Sequence, residues 1–247
     1  MSLSIKSGAF LIGDAHYSDF RLELFDFLQD IKSKKLNPTQ LILFGDIFDA
    51  LFGGVDSTQD TNKDMVDLLN DISNDIDIIY LEGNHDFNLT NIFPKIKIIS
   101  ISKQPLECNY NSKKVFIAHG DIHFSFSYKL YTAIIRDKTV LYCLNIINNL
   151  LDNKIIKELN IYLNKKDDCF KFSGFKEHIS KRIVGRYRCD YFIEGHFHQN
   201  KNIKFDEFLY INLPSFACNQ RYFSVKSSED LELMEEIYLK GDVNGTS

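Results

Sequence analysis

Five short polar stretches, each at the end of an apolar run, constrain this chain more than any other feature. Gly13-Asp14-Ala15-His16 follows Ala9 to Ile12, and Gly45-Asp46-Ile47-Phe48-Asp49 follows Leu41 to Phe44. Gly83-Asn84-His85-Asp86 follows Ile76 to Leu81. Ala118-His119-Gly120-Asp121 ends Val115 to Ala118, and Gly195-His196-Phe197-His198 follows Tyr191 to Glu194. Short apolar runs bounded by glycine read as buried strands. Their carboxylates, amide and imidazoles then sit on loops at strand C-terminal ends, where open α/β folds place their chemistry.

The donors point to metal. In an extended segment alternate side chains face the same way, so Asp14/His16 and His196/His198 can each aim two ligands to one side. Carboxylate and amide oxygens mixed with imidazoles, without thiolate, suit Mn, Fe, Zn, Co or Ni better than Cu(I). Asp14, His16, Asp46, Asn84, His119, His196 and His198 are more donors than one tetrahedral ion needs. They imply two divalent ions, manganese first among the candidates, with one carboxylate bridging. Asp49 and Asp121 are expected to orient ligands. His85 is expected to donate a proton, with the neighbouring Asp86 holding its ring. His123 and His178 fall outside the motifs and read as ordinary histidines.

Between the motifs the chain alternates strand and helix, as an α/β layer fold does. Phe20 to Ile31 has helical spacing with Asp19 as its N-cap, and Lys63 to Ile72 has one apolar face. Ile96 to Ile101, Phe208 to Leu213 and Leu231 to Leu239 read as further strands, and the tail after Gly241 should fray. From His123 to Arg188 the pattern changes to helical repeats with no proline. The expected division is a core of residues 1–122 and 189–247 with a helical lid insertion, 123–188.

At 247 residues and 44% hydrophobic, the chain can bury a full core. A net charge of −5 argues against a nucleic-acid partner. Five scattered cysteines without a C-x-x-C pair suggest reduced thiols in a cytoplasmic protein. No stretch reaches the ~18–20 apolar residues a membrane span needs. Residues 165–188 hold eight Lys/Arg against three acids, so the remainder of the chain sums to −10. This segment reads either as a solvated helical face or as a patch for a phosphate or an anionic membrane.

The ordered set D-x-H, G-D-x-x-D, G-N-H-D, H-G-D and G-H-x-H resembles the calcineurin-like metallophosphoesterases over roughly residues 8 to 214. The resemblance implies a four-layer αββα sandwich. It implies that Asp14, His16, Asp46 and His198 hold one ion, and Asp46, Asn84, His119 and His196 the other. His85 would then stand beside the leaving group. The helical insertion is similar to the lid of the UDP-2,3-diacylglucosamine pyrophosphatases of lipid A biosynthesis. Those enzymes release UMP and 2,3-diacylglucosamine 1-phosphate. The chain departs from their best-known group in carrying Asn-His-Asp in place of Asn-Arg-Asp. The resemblance therefore implies a lipid-linked nucleotide substrate and peripheral contact with the inner membrane surface. It leaves a nucleotide or general phosphodiesterase as the alternative and the oligomeric state open.

Overall fold

A computed structural model describes residues 3–227 and 233–238. The first half runs β1 (Leu3–Ser4), β2 (Phe10–Ile12), α1 (Glu23–Lys32), β3 (Gln40–Leu43), β4 (Leu51–Phe52), α2 (Asp56–Thr61), α3 (Lys63–Ile72), β5 (Asp77–Leu81), β6 (Asp86–Phe87) and β7 (Lys97–Ile99). A hairpin, β8 (Leu106–Tyr110) and β9 (Lys113–Ala118), leads into α4 (Phe126–Ile135), α5 (Lys138–Leu150), α6 (Lys154–Leu163) and α7 (Phe175–Ile183). The chain closes with β10 (Tyr191–Glu194), β11 (Lys201–Lys204), β12 (Leu209–Asn212), α8 (Phe216–Asn219), β13 (Arg221–Val225) and β14 (Met234–Tyr238).

Two six-stranded sheets stack face to face. One has the order β1-β8-β9-β10-β12-β11, the other β14-β13-β2-β3-β5-β7. Strand alternation builds the layers. Leu41 and Leu43 of β3 point to the core under α1 and α3, while Ile42 points into the core between the sheets. On the far side Phe175, Ile179 and Ile183 of α7 pack on Phe192 and Tyr210. The result is the αββα sandwich, with the α7 end of the 123–188 segment serving as its fourth layer. Helices α4–α6 pack elsewhere, through Leu141, Ile156 and Leu163, against Phe52 and Phe87 of the small β4–β6 pair. The expected single lid thus divides into three helices over β4–β6 and one that belongs to the sandwich.

The structure departs from the sequence expectations at three further points. Residues 18–21 make a tight turn, so α1 starts at Glu23 with Leu22 as N-cap and Asp19 caps nothing. Strands β1, β4, β6, β8, β11 and β13 and helix α2 were not expected; β11 has one apolar residue, Ile203, and alternation is all it offers. Cys169 and Cys218 form a disulfide with a Cα–Cα distance of 5.7 Å, which corrects the expectation of five thiols. Their 49-residue separation hides a proximity that only the fold creates. Leu231 and Leu239, at the ends of the expected last strand, and the tail after Gly241 lie outside the described residues.

Candidate metal centre

The five motif loops leave the C-terminal ends of β2, β3, β5, β9 and β10, three from one sheet and two from the other, and meet where the sheets' edges converge. Asp14, His16 and His198 bring ligand atoms within 4.8 Å of one another, and so do Asp46, His119 and His196. In the first cluster Asp14 Oδ1 is 3.1 Å from His198 Nε2. In the second, His196 Nδ1, Asn84 Oδ1 and Asp46 Oδ2 converge on His119 Nε2 at 3.1, 3.2 and 3.4 Å. All seven expected ligands are therefore gathered at one place.

The loops achieve this differently from the extended pairing read off the sequence. Asp14, His16, Asp46, His196 and His198 all have φ between 47° and 61°. Left-handed backbone is costly for residues with a Cβ and persists where surrounding bonds enforce it. Here Asp14 N donates to Gly45 O at 3.1 Å, His16 N to Asp46 O at 3.0 Å, and His196 N to the Asp14 carboxylate at 2.9 Å. Two motif glycines answer a need for space. A Cβ on Gly83 would lie 2.3 Å from Asp46 Oδ1, and one on Gly195 would lie 2.5 Å from Asp14 Oδ2.

Outer contacts fix the ligands. His119 Nδ1 donates to Phe44 O at 2.7 Å, leaving Nε2 for the centre. Asp49 approaches His16 Nδ1 at 3.2 Å, as an orienting residue should. Asp121 does not orient a ligand; its carboxylate faces Arg136 at 3.3 Å and the Tyr128 hydroxyl at 3.4 Å, both on the insertion. Asp86 does not hold the His85 ring either. It accepts from the backbone N–H groups of Asp46, Ile47 and Gly83 and from Tyr80, and so shapes the Asp46 loop. The His85 ring is held instead by Asp49 O, 2.8 Å from Nδ1.

Charge is strongly biased here. Burial would raise the Asp46 pKa, but His119, His85 and His16 hold it well below the usual carboxylate range. Burial opposes a proton on His119, yet Asp46, with Asp121 and Asp14 behind it, lifts its pKa well above that of an ordinary histidine. Burial and His119 push His196 well below that value. His85 is lowered chiefly by burial. The buried His16 Nε2 has no hydrogen-bond partner, and two compact O/N clusters face one another, so the donor set fits two divalent cations.

Several residues that sequence reasoning missed also belong to the site. Arg136 donates to Gly83 O at 2.8 Å. Asp168 O accepts from His198 Nδ1, and its carboxylate pairs with Arg21 at 2.7 Å. None lies in a motif, and nothing in local spacing marks them. An apolar cavity of about 360 Å³ reaches Asn84 and His85 and is walled by Phe52, Phe87, Leu141 and Leu144.

A protein named UDP-2,3-diacylglucosamine hydrolase from Psychromonas ingrahamii is 26% identical over 160 residues, 63% of this chain and 60% of its own length. The chain thus spans less than two thirds of that relative. One of the same name from Vibrio atlanticus is 20% identical over 85% of this chain and 84% of its own. A phosphoesterase structure from E. coli, Yfce, aligns over 94% of this chain and 98% of its own at 12% identity and a TM-score of 0.46. The calcineurin-like phosphoesterase model matches residues 10–200, which includes all five motifs, and the chain belongs to that family.

Proposed function

We propose that the protein hydrolyses the pyrophosphate of a lipid-linked nucleotide, UDP-2,3-diacylglucosamine, to UMP and 2,3-diacylglucosamine 1-phosphate. The observation that carries this reading is the apolar cavity opening beside Asn84 and His85. Its aliphatic and aromatic walls offer acyl chains a place out of water at the reacting edge. Two relatives bearing the name UDP-2,3-diacylglucosamine hydrolase support the same substrate class.

Asp14, His16 and His198 would hold one divalent ion, and Asn84, His119 and His196 the other, with Asp46 between them; manganese is the proposed metal. When bound, two such ions supply positive charge to phosphoryl oxygens and acidify a water. The chain's own groups do the rest. A carbonyl only accepts, so His85 Nδ1 must carry the hydrogen toward Asp49 O. That leaves Nε2 to deliver a proton to the oxygen leaving phosphorus. Lys166 lines the cavity with His85 and offers a cation to the diphosphate. The walls from α4–α6 take the acyl chains. Burial stabilises by ~0.8 kcal/mol per CH₂, so chain length should act mainly through KM.

The test is a series of UDP-glucosamine substrates with zero, one and two acyl chains. Removing both chains should lower kcat/KM by orders of magnitude. Equal turnover of the unacylated UDP-sugar would transfer the protein to the nucleotide phosphodiesterases.

A further inference from the structure

The segment between α6 and α7 is fastened along one ligand cluster and not the other. Asp168 O accepts from His198 Nδ1, and the Lys171 ammonium donates to His198 O. The Gln199 side chain donates to Phe170 O at 3.0 Å and accepts from Phe172 N at 3.2 Å. The Asp168 carboxylate pairs with Arg21, which lies 3.7 Å from Asp49, the neighbour of His16. The Cys169–Cys218 bond then ties the segment to α8. There Ser215 Oγ and Ala217 N donate to Asp14 O at 2.7 and 3.2 Å. All three donors of the first cluster are reached from this strap. Asp46 and His119 take partners from Phe44, Asn84, His85, Asp86 and Gln104, none of them on the strap, and His196 meets the first cluster only through its N–H to the Asp14 carboxylate.

We propose that Asp168 is a positioning residue for the Asp14/His16/His198 cluster and that the Cys169–Cys218 bond keeps it there. The redox state of that cysteine pair then sets how firmly this one cluster holds its cation. The inference rests on the two-cation reading of the site. The physics lies in the His198 ring. Its Nδ1–H is spent on Asp168 O, which fixes the ring plane and turns Nε2 toward Asp14. Without the covalent tie, the strap keeps its polar contacts to Arg21, His198 and Gln199 and the packing of the half-buried Phe172 on Phe175. Cys169 is itself exposed, and exposed disulfides are the labile ones. A dithiol reductant attacks one sulfur to form a mixed disulfide, then its second thiol displaces the protein thiol. Two electrons and two protons end on Cys169 and Cys218, and the reductant leaves as a cyclic disulfide.

The experiment is calorimetric titration of the metal-free full chain with Mn²⁺, oxidised and after dithiol reduction with the reductant removed. The oxidised protein should bind two ions. Reduction should weaken one of them by about 10–100-fold, the range seen when a ligand loses its outer partner, and leave the other unchanged. Reoxidation should restore it. Cys218→Ser should behave as the reduced protein in both solutions, and Asp168→Asn, which keeps the carbonyl, should weaken the same ion less. Unchanged affinities on reduction, or equal weakening of both ions, overturn the inference while leaving the two-cation reading intact. An oxidised protein that binds fewer than two ions overturns both.

Discussion

The two nitrogens of His85 have different company, and this makes its role testable. Nδ1 is spent on Asp49 O, and burial holds the pKa of the ring below the ordinary value of 6.5. An acid must start protonated. With a lowered pKa, its active form is lost as pH rises through a value under 6.5, so kcat/KM should fall on that side, and His85→Ala should abolish that limb. His85→Ala should also lower kcat by ~10²–10⁴-fold on the pyrophosphate substrate and by less on an aryl phosphodiester, whose leaving group needs no proton. His85 ring atoms also come within 4.8 Å of His16 and Asp49 donors, so metal content is the control. Two ions retained by the variant fit an acid; one ion lost would make His85 a ligand.

Helix α7 and the turn after it show how a stretch can be misjudged when only its charge is read. Lys181, Arg182 and Arg186 look alike in the sequence, but Arg182 is buried and paired with Glu194. Its guanidinium also donates to Gly120 O and Ile122 O, each at 3.2 Å, while Tyr210 donates to Glu194 at 2.9 Å. The pair therefore locks the loop after His119 to the strand before Gly195. Arg182→Met would strand a buried carboxylate, and breaking such a pair costs about 3–5 kcal/mol. Urea unfolding should register that loss; a change under ~1 kcal/mol would mean water reaches Glu194. The same contrast marks what was legible in the chain. Every donor now in the two clusters stood within three residues of a glycine after an apolar run, and Lys63–Ile72 and Tyr191–Glu194 fall where their spacing puts them. Asp168, Arg21, Arg136 and the disulfide act across the chain, and long-range pairing leaves no local period. Edge strands such as Lys201–Lys204, with a single buried residue, dilute the apolar signal that revealed the central ones.

At the scale of the whole molecule, charge and apolar exposure fall on successive stretches of chain. The net charge is −5, yet residues 165–188 are strongly basic, and Lys181 and Arg186 are exposed. On α4–α6, Phe126 is 82% exposed, Leu150 79% and Tyr162 65%. Exposed apolar side chains gathered in this way mark an interaction surface. Among the described residues no helix is long and apolar enough to cross a membrane. The proposed two-tailed substrate would have to be drawn from a bilayer, and the surface proposed for this is one that rests on anionic lipid. The two contributions separate by salt. Each basic residue near such a surface is worth ~1 kcal/mol and fades within a Debye length of about 8 Å at physiological ionic strength, whereas apolar insertion does not. Sedimentation with anionic vesicles should therefore show Lys181→Glu/Arg186→Glu binding at least about tenfold more weakly at low salt, a deficit that shrinks as salt rises. Phe126→Ser/Leu150→Ser should lose binding at every salt concentration. If the wild-type chain ignores the vesicles, or if the apolar double variant binds as well as wild type, the exposed helices serve another partner and the substrate must reach the cavity by another route.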